Sequence, residues 1–130
     1  MYLHEVASDS YVLLQASWTV CKARELVEHL NPTHVIVHHS KPTDFYYLYT
    51  KSEARGRLAT HDAQTTLFDA LNLHEYTATP TRDAFAPADE VPDRAVVMEE
   101  GRVVGFFDAT VPPTERGTRG GDGQPGYGGV

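Results

Sequence analysis

Thr50 and Glu53 set a hydroxyl and a carboxylate three residues apart at the end of a predicted strand. This Thr-x-x-Glu spacing is a capping box. In that arrangement each side chain satisfies a backbone N–H at the start of a helix, with no ligand involved. The histidines make a weaker set. His34 and His38 are four apart on a predicted strand, so they share a face but stand about 13 Å apart, beyond one metal's reach. His38 and His39 point to opposite faces, and no cysteine or carboxylate completes a tetrahedral set. They are expected to be exposed or capping residues at a strand end. Cys21 is the only cysteine. It lies within a helical pattern and is expected to be a buried thiol, not a nucleophile. No Gly-x-Ser-x-Gly surrounds any serine, and Glu99-Glu100 falls in a turn where both carboxylates should be solvated. No catalytic residue and no metal ligand is assigned.

The elements that must position these residues can be read from periodicity. Tyr11 to Gln15 has strand character. Thr19 is a good N-cap for a helix whose apolar face is Val20, Ala23, Leu26, Val27 and Leu30. Asn31-Pro32 ends that helix. Thr33 to His38 is a β-branched strand, Lys41-Pro42-Thr43-Asp44 a turn, and Phe45 to Tyr49 the partner strand. Lys51 to Leu58 predicts a short helix broken by Gly56. Thr66 is a second N-cap, ahead of Leu67, Ala70 and Leu71. From Tyr76 to Asp93 the residues are rich in Pro, Thr, Asp and Ala and read as a long loop. Arg94–Met98 and Arg102–Phe107 form a hairpin through Glu99-Glu100-Gly101. Residues 1–9 read as a polar arm. Residues 112–130 are glycine-rich with few apolar side chains, so they are expected to be a disordered tail or linker.

Thr19-Val20-Cys21-Lys22-Ala23 and Thr66-Leu67-Phe68-Asp69-Ala70 share one pattern at an offset of 47 residues. Each precedes a helical face and then a strand–turn–strand, which suggests an internal repeat in which each copy buries its apolar face against the other. Val12 to Glu53 resembles a CBS domain. That family's pattern ends in Gly, two apolar residues, Ser or Thr, two variable residues and Asp. Here that element is Tyr47-Leu48-Tyr49-Thr50-Lys51-Ser52-Glu53, with Tyr47 in the glycine's place. The second copy matches through Gly101 to Phe107 and then departs, with Asp108 at the hydroxyl position and Val111 at the acid position. The resemblance covers about residues 11–111. It implies an α/β (α+β) fold of two βαββ-type units, about 11–58 and 59–111, forming a pseudo-symmetric pair with a cleft on each side. It further implies an adenosine-containing ligand of the AMP or ATP type, held at Thr50 and Glu53. Tyr47 would obstruct such a ligand, and Asp108 would repel a phosphate in the second cleft.

Composition bounds the rest. The chain has 130 residues, 41% hydrophobic, and a formal charge of −7, enough apolar material for a core and unfavourable for non-specific nucleic-acid binding. Apolar runs such as Val35-Ile36-Val37 are too short to span a bilayer, and the N-terminus lacks a signal-peptide pattern. A cytoplasmic location is expected. The reading that absorbs most of these features is a non-enzymatic regulatory or interaction module. Its contact surfaces would be the aromatic strand Tyr46-Tyr47-Tyr49 and the Tyr76–Asp93 loop, with a protein partner or self-association. The alternative is a sensor for an adenosyl ligand. Two lesser readings are a small enzyme with a non-obvious site, and a ubiquitin-like modifier precursor suggested by Gly128-Gly129-Val130.

Overall fold

The computed structural model describes residues 1–40 and 42–110, so the predicted tail and Val111 lie outside the described residues. The chain forms two compact units. One is Val12–Thr79; the other, among the described residues, joins Met1–Tyr11 to residues 80–110. The boundary expected near residue 58 falls inside the first unit.

In the Val12–Thr79 unit a three-stranded sheet has the order β1 (Tyr11–Gln15), β2 (His34–His39), β3 (Phe45–Thr50). Between β1 and β2 runs α1 (Val20–Leu30). The Thr19 side chain accepts from the Lys22 N–H, and Asn31 ends the helix in the left-handed conformation, φ 48°. Asparagine tolerates that conformation better than most residues do. Val20, Ala23 and Val27 recur at helical spacing and are buried, as are Val35, Ile36 and Val37 of β2. Strands β2 and β3 are antiparallel, with Val37 opposite Tyr47 and His34 opposite Thr50. Helix α2 (Lys51–Leu58) follows β3 without a loop and runs through Gly56 unbroken. The core joins Val12, Leu14, Val27, Val35, Val37, Tyr47 and Leu58 to Leu67, Ala70 and Leu71 at a one-turn helix, α3 (Leu67–Ala70).

The position of α3 corrects the expected repeat. Thr19 and Thr66 form an antiparallel β-bridge with each other inside one unit. The Val20 and Cys21 N–H groups donate to the Thr65 and Ala63 carbonyls, and the Leu67 and Phe68 N–H groups donate to Trp18 and Ala16. Two helix starts thus satisfy one another's orphan donors. The shared Thr-apolar-x-x-Ala pattern reflects this local pairing and not two copies 47 residues apart.

The other unit supplies the second copy. Its sheet has the order β4 (Thr81–Asp83), β5 (Arg94–Glu99), β6 (Arg102–Asp108), with β4 parallel and β6 antiparallel to β5. The crossover is a single 3₁₀ turn, Ala88–Glu90, where the first unit has α1. Val97 pairs with Gly105 as Val37 pairs with Tyr47, so the structural offset is about 60 residues. β4 corrects the reading of 76–93 as irregular. Its three residues are all exposed and carry no apolar signal, yet their backbone joins the sheet. Glu100 (φ 54°) and Gly101 (φ 78°) form the two-residue hairpin loop, the mirror-image turn that suits twisted strands.

Residues 1–9 are not an arm. Leu3 and Ala7 are buried in a cluster with Ala84 and Val97. The Leu3 and His4 N–H groups donate to Ala86 and Ala84, and Ser8 exchanges both backbone hydrogen bonds with Phe106. A segment of mixed, polar-looking character thus delivers two core residues, and backbone pairing rather than side-chain pattern fixes it in place.

Candidate functional site

Thr50 and Glu53 meet at the junction of β3 and α2. The Thr50 hydroxyl accepts from the Glu53 N–H at 3.1 Å, and Glu53 Oε1 accepts from the Thr50 N–H at 2.9 Å. This is the reciprocal capping box. The next donor, the Lys51 N–H, goes to the Thr33 carbonyl at 3.0 Å. Lys51 Nζ donates to Asn31 Oδ1, tying the head of α2 to the end of α1. Ser52 Oγ stands 3.5 Å from Thr50 Oγ1.

Around this junction the side chains are aromatic and cationic. Arg57, in the last turn of α2, places its guanidinium 5.7 Å from the Tyr49 ring and 5.0 Å from the Tyr76 ring, within the range of cation–π attraction. Burial pushes the Tyr49 phenol up to about 12, against the lowering effect of Arg57. Tyr47 lies in the core, its hydroxyl donating to the Leu73 carbonyl at 3.4 Å. A buried tyrosine therefore fills the position where the CBS pattern has glycine.

The expected aromatic contact face is corrected. Tyr46 and Tyr47 are both buried, and Tyr49 is partly buried against the core. Apolar–polar alternation is absent here because aromatics occupy both faces of β3, the mark of a strand covered on both sides. Its outer edge is covered as well. Thr79 donates its N–H to the Tyr46 carbonyl, and its hydroxyl accepts from the Leu48 N–H. Burial raises the phenols of Tyr46 and Tyr47 too, with Asp44 adding to the rise at Tyr46.

The remaining candidates are held within the protein. His34 is buried, not exposed as expected, with Nδ1 3.0 Å from the Thr33 hydroxyl. His38 has Nδ1 2.9 Å from Gln15 Oε1 and Nε2 2.8 Å from Asp44 Oδ1, and stacks on Tyr46. His39 packs its ring against Phe68. Among the described residues no three His, Cys, Asp or Glu side chains converge on a metal-sized site. Cys21 is only half-buried, its Sγ 3.9 Å from Glu25 Oε2. A groove of about 460 Å³ between α1 and α2 is lined by Val27, Ala54 and Leu58 and crossed by the Arg55–Glu28 ion pair.

In the other unit, Asp108 is fully buried opposite Arg94 and lies 3.3 Å from its guanidinium. It also accepts from the Thr110 N–H at 2.9 Å. The residue at the hydroxyl position thus closes the base of the β5–β6 pair. Sequence reasoning missed this ion pair, although Arg94 and Asp108 bracket the predicted hairpin symmetrically. It also missed an exposed ring cluster. Tyr2, His4 and Phe85 lie with centroids 5.1–6.3 Å apart.

Comparison with known proteins gives the following. Solved structures share the fold at low identity. A CBS domain-containing protein of unknown function from Kribbella flavida aligns with a TM-score of 0.60 at 15% identity, over 84% of this chain and 94% of its own. A hemolysin-like protein containing a CBS domain from Oenococcus oeni gives 0.59 at 14%, over 83% and 84%. A hexameric CBS-CP12 protein from bloom-forming cyanobacteria gives 0.60 at 17%, over 83% of this chain and 66% of that one. No curated protein matches in sequence. Among the described residues no helix is long and apolar enough to cross a membrane. The family model for ternary complex associated domain 7 matches residues 7–106. On that match the chain belongs to the ternary complex associated domain 7 family, and its fold is CBS-like.

Proposed function

We propose that this chain is a non-catalytic module that mediates protein association. The observation that carries the reading is the Thr50–Glu53 capping box. The two side chains best suited to an adenylate are hydrogen-bonded to each other's backbone, and the helix start they cap needs no anion to complete it. The buried Tyr47 supports the same view, since it fills space that a glycine would leave open. The family's description as ternary complex associated, and the hexameric assembly of one structural neighbour, point in the same direction.

A second reading is favoured by one feature. Thr50 and Glu53 do stand together at the start of α2, the placement an adenosyl-ligand sensor of AMP or ATP type would use. In that case the ligand must open the box, and the Glu53 carboxylate must exchange a backbone donor for a ribose hydroxyl. Sedimentation velocity from micromolar to millimolar concentration, run with and without ATP, AMP and adenosyl compounds, separates the two. The association reading expects concentration-dependent assembly or heteromeric binding that ignores nucleotide. Nucleotide-dependent assembly, lost in Thr50→Val/Glu53→Gln, would overturn it in favour of the sensor.

A further inference from the structure

Charge is unevenly distributed between the two units. Residues 1–11 and 80–110 carry nine carboxylates and three arginines, a formal −6. Residues 12–79 carry seven carboxylates and six lysines or arginines, a formal −1. Nearly all of the chain's net negative charge therefore sits with the unit that also carries the exposed ring cluster.

That cluster is held out by backbone pairing. Tyr2 bridges Pro87, the Ala88 N–H donates to the Met1 carbonyl, and the Leu3 and His4 N–H groups donate to Ala86 and Ala84. Leu3 and Ala84 are thereby pinned in the core while Tyr2 and Phe85 remain 52% and 56% exposed. The rings gather on one face, with His4 stacked against Tyr2 and tilted against Phe85. Residues 1–7 and 81–91, which build this face, contain Glu5, Asp83, Asp89 and Glu90, all exposed, against one arginine, Arg82, and no lysine. Two of these acids also stiffen it: Glu5 accepts from the Tyr2 N–H and Asp83 from the Phe85 N–H.

Half-exposed aromatic faces carried on acidic segments attract one chemistry above others. A guanidinium or ammonium gains cation–π attraction over a ring and Coulomb attraction from the acids, and an adjoining apolar side chain covers what the rings leave open. Phosphate-bearing partners are repelled. Building on the association reading, we propose that the Tyr2–His4–Phe85 face docks a basic segment of a partner protein, one with arginine or lysine beside an apolar residue.

The test is selection of displayed linear peptides on the intact chain, followed by fluorescence anisotropy of a labelled synthetic copy. The expected peptides carry excess positive charge next to an apolar residue, and their binding weakens as salt rises. Phe85→Ala and Tyr2→Ala should each reduce affinity about tenfold, with the fold confirmed by circular dichroism. Asp89→Asn/Glu90→Gln should flatten the salt dependence without removing any ring. Tyr76→Ala, an exposed aromatic of the other unit, should change nothing. Peptides that bind but are neutral or acidic, or that ignore both ring substitutions, would overturn this surface while leaving the association reading standing. Self-association abolished by Phe85→Ala would replace the basic partner with a second copy. A chain that selects no peptide and sediments as a monomer would overturn both.

Discussion

Gly105→Ala should destabilise the unit that contains it. A Cβ at Gly105 would lie 2.7 Å from the Ser8 carbonyl oxygen and 3.4 Å from the Ala7 Cβ. The first contact is with backbone, so no rotamer change relieves it. Ser8 is held there by its paired hydrogen bonds with Phe106, at 2.8 and 2.9 Å. The added methyl must push the N-terminal segment off β6, and that segment delivers Leu3 and Ala7 to the core. Losing two backbone hydrogen bonds costs about 1 kcal/mol each, and forced repacking adds about 1–2 kcal/mol. Together these give about 3–4 kcal/mol, a fall in Tm of roughly 10–15 °C. The assay is thermal unfolding by circular dichroism, beside Gly56→Ala as a control. Gly56 has open space where its Cβ would go and sits inside α2, so alanine there should stabilise by about 0.5–1 kcal/mol. A Gly105→Ala protein melting within about 2 °C of the parent would refute the reasoning, because it would mean the segment is not anchored at Ser8.

Thr50→Ala should cost about 1 kcal/mol through loss of the N-cap, while Thr50→Ser should restore most of it; chemical denaturation reads both. Asp108→Ala should cost about 3–5 kcal/mol, because Arg94 would be left facing a buried site without its carboxylate; a loss below about 1 kcal/mol would show the pair to be solvated. Gly101→Ala should cost about 1 kcal/mol through its φ of 78°, and Glu100→Asn should recover some tenths by suiting the same turn. Ultraviolet titration should show one tyrosine ionising near 12, absent in Tyr49→Phe. Since the folded phenol is raised above its unfolded value near 10, its contribution is fully present below about pH 10 and is lost as the pH rises through about 12.

Residues with periodic burial are legible from sequence. Thr19 as cap, Asn31 as stop, β2, β3, α2 and the Glu99–Arg102 turn all follow from local chemistry, whereas the CBS-like fold follows from the resemblance of Val12–Glu53 and Gly101–Phe107 to that family's pattern. Backbone-determined features are not legible. β4 has three exposed polar residues, and the N-terminal segment is held by its carbonyls and N–H groups, so neither leaves a hydrophobic signature. The repeat is misplaced in a sequence reading because two Thr-capped helix starts look alike whether they come from two copies or from one reciprocal pairing. The shared Thr-apolar-x-x-Ala cannot tell those apart, whereas the buried triplets Val35-Ile36-Val37 and Ala95-Val96-Val97 mark the true correspondence. At the candidate site, Thr50-x-x-Glu53 reveals its own capping geometry. The burial of Tyr46 and Tyr47 is hidden because a strand covered on both faces shows no alternation.

The most direct measurement is thermal unfolding of the intact chain against ATP, AMP and adenosyl compounds at millimolar concentration. A ligand at about 100 times its Kd would stabilise the fold by about 2.7 kcal/mol, a shift of several degrees. If association is the function and the Thr50–Glu53 box is a cap alone, none of the compounds shifts Tm. A shift with one compound that disappears in Thr50→Val/Glu53→Gln would contradict the account and make this junction a nucleotide site.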